Sequence, residues 1–210
     1  MGIGVVPDIG DARIRSSTAL EGNMIKRIVV AGTLGFIVLA FWTFLVNGLF
    51  GFAVRVQMNR VADEPAVYRV LKENVAGPGA YLVNPALTSE RQFPPGEPVF
   101  SVSSSGIGHE AAGRMMLVEV GVALAAALLA AGLLAAASTS VLSTWARRTG
   151  FVVAVGVLLA VTADLSRFGI GGYPLGSAAA MAAVRVTGWA LAGLAMAWAM
   201  RPPAREPSLA

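Results

Sequence analysis

Four stretches of this chain are almost free of charge, and polar or mixed segments separate them. Residues 28–53 carry no formal charge at all. At 1.5 Å per residue such a run, as a helix, crosses a hydrocarbon layer of about 30 Å. Three more runs follow at 114–138, 150–166 and 176–200, of which 150–166 is the shortest. The apolar residues fall in blocks, without the one-sided spacing of a helix that turns one face to water. The pattern predicts an all-α membrane protein, a bundle of four transmembrane helices. A cleaved signal peptide is the rival reading of 28–53, but such a segment has a shorter apolar region ending in small residues, and this run ends in the bulky Phe50-Gly51-Phe52.

The polar segments complete the layout. Residues 1–27 read as a disordered cytoplasmic leader, with Met24 as a candidate true start and the residues before it as an upstream extension. Residues 54–113 are the one large insertion, and a small extracytoplasmic α+β cap is expected there. Asp63-Glu64-Pro65, then Val67, Val70 and Leu71, then Gly77 have the cap, early proline, apolar spacing and terminal glycine of a short amphipathic helix. Docking of its apolar stripe is expected. Ala80–Val83 and Pro98–Val102 read as two strands of a hairpin, although the serine-rich run at 103–106 equally suits a mobile loop. Residues 139–149 form a loop, 167–175 a tight outer hairpin and 201–210 a tail.

Charge orients this layout. Lys26 and Arg27, Arg147 and Arg148, and Arg201 and Arg205 flank the spans, and all three pairs fall on one side if both termini are cytoplasmic. The loop and the tail are then cytoplasmic too, and the insertion faces outward. Trp145 and Trp198 suit an interfacial belt at the inner ends. The expected location is the bacterial cytoplasmic (inner) membrane.

Composition narrows the chemistry. The chain is 56% hydrophobic and 13% charged, with a net charge of +4, but its basic residues are scattered, so nucleic acid is not expected as a partner. With no cysteine and one histidine, it has no disulfide, no thiolate metal site and no bis-histidine haem ligation. The glycines of 169–176 lack the lysine and hydroxyl residue of a phosphate-binding loop. No catalytic, cofactor-binding or metal-ligating residue is therefore assigned, and no cofactor is expected. Alanine and glycine in the second and fourth spans read equally as close helix packing or as plain composition.

Charges inside the spans are the remaining candidates. Glu119, Asp164 and Arg185 are expected to turn inward and form an intramembrane charge cluster, because an ionised side chain facing lipid is costly. The plainer alternative pairs Asp164 with Arg167 at i+3 and lets Glu119 and Arg185 reach the headgroups. His109 and Glu110 are secondary candidates, the only possible general base for an enzyme acting on lipid. Their plainer reading is a solvated histidine beside a helix-start glutamate.

The Asp-Glu-containing helix, Gly79-Ala80-Tyr81-Leu82-Val83-Asn84-Pro85, the aromatic-glycine hairpin from Phe168 to Pro174, and Gly188-Trp189 together resemble uncharacterised four-helix membrane proteins of bacteria. The resemblance spans about residues 28–200 and implies the topology, but no activity. Three functions remain open. The first is a non-catalytic accessory, assembly or scaffolding subunit that meets another membrane protein, or itself, within the lipid bilayer. The second is a small-solute permease or channel working as an oligomer, and the third is the lipid enzyme.

Overall fold

The computed structural model describes residues 9–168 and 173–201, without the side chains of residues 9–21, His109 and Ala112. The glycines of the expected outer hairpin, the tail beyond Arg201 and the first residues of the leader lie outside the described residues.

The chain is mostly helical. Helix α1 (Ile9–Thr43) continues into a π-helical segment at Phe44–Leu49, where the Phe50 amide donates to Leu45 O, five residues back. Gly51, at φ 58°, takes the left-handed conformation that suits glycine and turns the chain into α2 (Phe52–Gln57). The first span thus ends earlier than the predicted Ala53. At its other end, α1 makes residues 9–27 helical where the sequence predicts a disordered leader. No proline interrupts the chain between Pro7 and Pro65, and a helix already nucleated extends at little cost.

In the insertion, α3 (Glu64–Asn74) starts where Asp63 accepts a hydrogen bond from the Ala66 amide at 3.1 Å. Strands β1 (Gly79–Val83) and β2 (Phe100–Ser104) pair antiparallel, with Tyr81 opposite Val102. The Tyr81 hydroxyl donates to Gly77 O and accepts from Gly77 N, tying the hairpin to the turn after α3. The helix and the strands form, but the expected docking does not. No residue of α3 is buried, and Val70 is 58% exposed.

Three long helices follow: α4 (Ala112–Ala135), then, after the single turn of α5 (Thr139–Leu142), α6 (Trp145–Ala163), and α7 (Leu175–Ala199). The third span begins five residues before the predicted Gly150, because the Thr144 side chain accepts from the Arg147 amide and caps α6 there. The second stops at Ala135 rather than 138, because Ser138 caps the turn of α5. Among the described residues, four helical segments are long and apolar enough to cross a membrane: Gly22–Leu49, Gly113–Ala135, Trp145–Arg167 and Leu175–Ala199. They fit a multi-pass membrane protein.

These helices alternate in direction. α7 packs on both α1 and α6, and α1 also packs on α4, whereas α4 touches α6 lightly. The core lies toward the end opposite the insertion. Ala127, Ala130, Ala131 and Leu134 line one face of α4 and meet Ala31, Val152, Trp189 and Met196. Toward the insertion, residues 113–122 of α4 are exposed on every face.

Glycines mark where the helices approach most closely. A Cβ on Gly32 would come within 2.7 Å of Leu128, and one on Gly188 within 2.7 Å of Trp42. One on Gly156 would collide with Trp189 Cβ. Close contact of this kind holds helices together where there is no water to exclude. The enrichment in small residues therefore serves packing at these positions. Gly156→Ala is expected to destabilise the bundle by roughly 1–3 kcal/mol by overpacking the α6–α7 contact. Gly121→Ala, whose Cβ would meet open space, should be close to neutral. Unfolding of both variants in mixed micelles measures the difference.

Candidate functional site

Two helices deliver opposite charges to one point. Asp164 follows the last residue of α6, is 3% exposed, and its amide closes the helix by donating to Ala160 O. Arg185 lies ten residues into α7, about 15 Å from that helix's start. Arginine in a helix leans toward the N-terminus of its own helix, here toward the insertion, and so reaches Asp164. Arg185 Nε donates to Asp164 Oδ2 at 2.5 Å and Nη2 donates to Oδ1 at 2.9 Å. This is the two-pronged geometry in which guanidinium and carboxylate match best.

A third helix joins at the same level. Trp42 of α1 donates its indole N–H to Val184 O at 3.0 Å, one residue from Arg185, in the space that Gly188 leaves open. Ser177 Oγ donates to Val56 O at 2.8 Å, fastening α2 to the first turn of α7. Between these contacts lies a cavity of about 10 Å³ lined by Gln57, Asp164, Arg167, Tyr173, Ser177 and Met181. That volume is at the lower limit for a single water molecule. It has no room for an organic substrate.

The structure therefore brings Asp164 and Arg185 together and leaves Glu119 apart. Glu119 is exposed on α4, with no partner among the described residues. Arg167 does not take Asp164. Its guanidinium stacks over the Tyr173 ring at 5.7 Å. Glu110 lies against Gly108 and borders an open groove with Ile107 and Arg114. The His109 side chain lies outside the described residues. No group of three or more His, Cys, Asp or Glu side chains able to hold a metal ion occurs among the described residues.

Sequence reasoning missed the part played by Trp42, Gln57 and Ser177. The signal was available for Trp42 alone, as an indole N–H in the middle of an apolar span that needs an acceptor. The sequence pattern places Arg148 in the 139–149 loop, whereas Arg148 lies in the first turn of α6 and is 4% exposed.

What the site can do is mechanical. Both carboxylate oxygens of Asp164 are held by one guanidinium, which ties the end of α6 to α7. No family model, curated protein or solved structure matches this chain.

Arg185→Ala is expected to destabilise the bundle by about 2 kcal/mol. This is below the range for a fully buried pair, because the 38% exposed Arg185 side chain is partly screened. Adding Asp164→Asn should recover part of that loss by removing the stranded carboxylate, while adding Glu119→Ala should be additive. Double-mutant cycles from unfolding curves check both statements.

Proposed function

We propose that the protein is a multi-pass protein of the bacterial cytoplasmic membrane, with both termini inside, acting as a non-catalytic accessory, assembly or scaffolding subunit. The observation that carries this reading is the bare half of α4. Residues 113–122 are all exposed, and Glu119 sits among them about 9 Å along the helix from Gly113. An ionised carboxylate facing lipid is costly. A partner helix that presents a cation or a polar face removes that cost and covers the exposed apolar side chains. The undocked apolar stripe of α3 offers the same partner a second contact outside the bilayer.

The second reading, a small-solute permease or channel, draws on the charged pair within the spans, since ionisable residues there commonly mark a pathway. The single-water cavity beside Asp164 means that such a pathway would have to lie between chains of an oligomer.

Mild solubilisation followed by mass spectrometry of co-purifying proteins tests the first reading. A stoichiometric membrane partner is expected, and Glu119→Ala should release it. A monodisperse chain with no partner would count against an accessory role, and flux through proteoliposomes abolished by Arg185→Ala would favour the permease. Topology is checked in the same cysteine-free chain. Ser104→Cys should react with an impermeant thiol reagent added outside the cell, and reaction from the cytoplasmic face alone would invert the arrangement.

A further inference from the structure

At the end of the bundle opposite the insertion, three helices bring three arginines close together, with Ile28, Leu142 and Met200 packed in one apolar cluster beside them. Arg27 lies on α1, Arg148 in the first turn of α6, and Arg201 just past the end of α7. Arg27 Nη2 donates to the backbone carbonyl of Arg201. The charges of Arg201 and Arg27 both bear on Arg148. Among the described side chains no carboxylate pairs with any of the three, since the ion pair found there is Arg185 with Asp164.

Arg148 is the telling member. It is 4% exposed, and its Nη1 donates to Leu142 O at 2.7 Å. Its Nε is buried with no partner among the described residues, and the neighbouring Thr149 Oγ1 is buried without one there as well. A buried donor left unpaired is costly, and like charges brought together at low dielectric add to that cost. A single anion with several acceptor oxygens relieves both. The α6 N-terminus beside it adds further positive potential.

We infer that Arg27, Arg148 and Arg201 form a binding site for the phosphate of an anionic phospholipid headgroup. The source is lipid because the rest of the site has the character of a membrane interface. Trp198, 55% exposed, lies 5.7 Å beneath the Arg201 guanidinium, and Trp145 is exposed at the same end. Ile25 and Val29, exposed on α1 to either side of Arg27, offer an apolar surface for acyl chains. Basic pockets between membrane helices recognise acidic headgroups in this way. The inference rests on the reading that the chain spans a membrane, and it is independent of the accessory role.

The test uses the full chain in mixed micelles of phosphatidylglycerol and phosphatidylcholine, with retained lipid measured by native mass spectrometry. The wild type is expected to retain phosphatidylglycerol in preference to phosphatidylcholine. Arg27→Gln and Arg201→Gln should each reduce that preference about fivefold, and Arg148→Gln at least as much. Arg147→Gln should leave it unchanged, because Arg147 is held by Ser140 and Ser143. Arg201 is exposed, so its variant keeps the test valid if Arg148→Gln fails to fold. Equal retention of the two lipids by the wild type would overturn the site, as would an unchanged preference in the Arg27 and Arg201 variants. Displacement of the lipid by excess inorganic phosphate would overturn the lipid assignment. Extraction of the reconstituted chain from liposomes by alkaline carbonate would instead defeat the membrane reading beneath it.

Discussion

Close approach of α7 to its two neighbours is the constraint on which the rest of the structure depends. Lipid is as apolar as the helices themselves, so burial in a bilayer gives them little reason to associate. What remains is surface fit. α7 supplies it on two sides, accepting Trp42 of α1 at Gly188 and setting Trp189 against Gly156 of α6. At its far end Gly193 meets Val152 and the Thr149 carbonyl. Each contact pairs a large ring or branched side chain with a residue that has no side chain. Dispersion is gained over a continuous seam only because the two backbones come so near.

The ion pair of Asp164 with Arg185 acts where this seam runs out. Toward the insertion the helices carry fewer buried side chains, and residues 113–122 of α4 are exposed on every face. A two-pronged charge contact at that level fixes α6 against α7, and the Trp42 bond to Val184 O fixes α1 beside them. The bundle is thus held by apolar fit at one end and by directed polar contacts at the other. Its loosely held member, α4, carries the one charged side chain of the expected cluster that stays unpaired among the described residues.

Much of this was legible in the sequence, and the part that was not has a physical reason. The four apolar runs announced their helices because a bilayer demands an uninterrupted stretch of a certain length. The ends were less legible, because capping by Thr144 or a left-handed turn at Gly51 is decided by one residue. Asp63, Pro65 and the spacing behind them read correctly as a short helix. Its docking did not follow, since an apolar stripe shows a helix's face and says nothing of what lies opposite. The cost of a charge facing lipid was enough to turn Asp164 and Arg185 inward toward each other. It was not enough for Glu119, because the splay of α4 is a property of the whole assembly. Arg148 was misread as a loop charge for the same reason as the helix ends: the capping that draws it into α6 is local, and its burial depends on three helices at once.

The bundle has two separately held ends. Hydrogen exchange of the chain in lipid nanodiscs, compared between wild type and Asp164→Asn, tests this most directly. Faster exchange is expected in the first half of α7 and the last turn of α6, with the amides around Ala130, Val152 and Met196 unchanged. Exchange that rises evenly along α6 and α7, or does not rise at all, would contradict it.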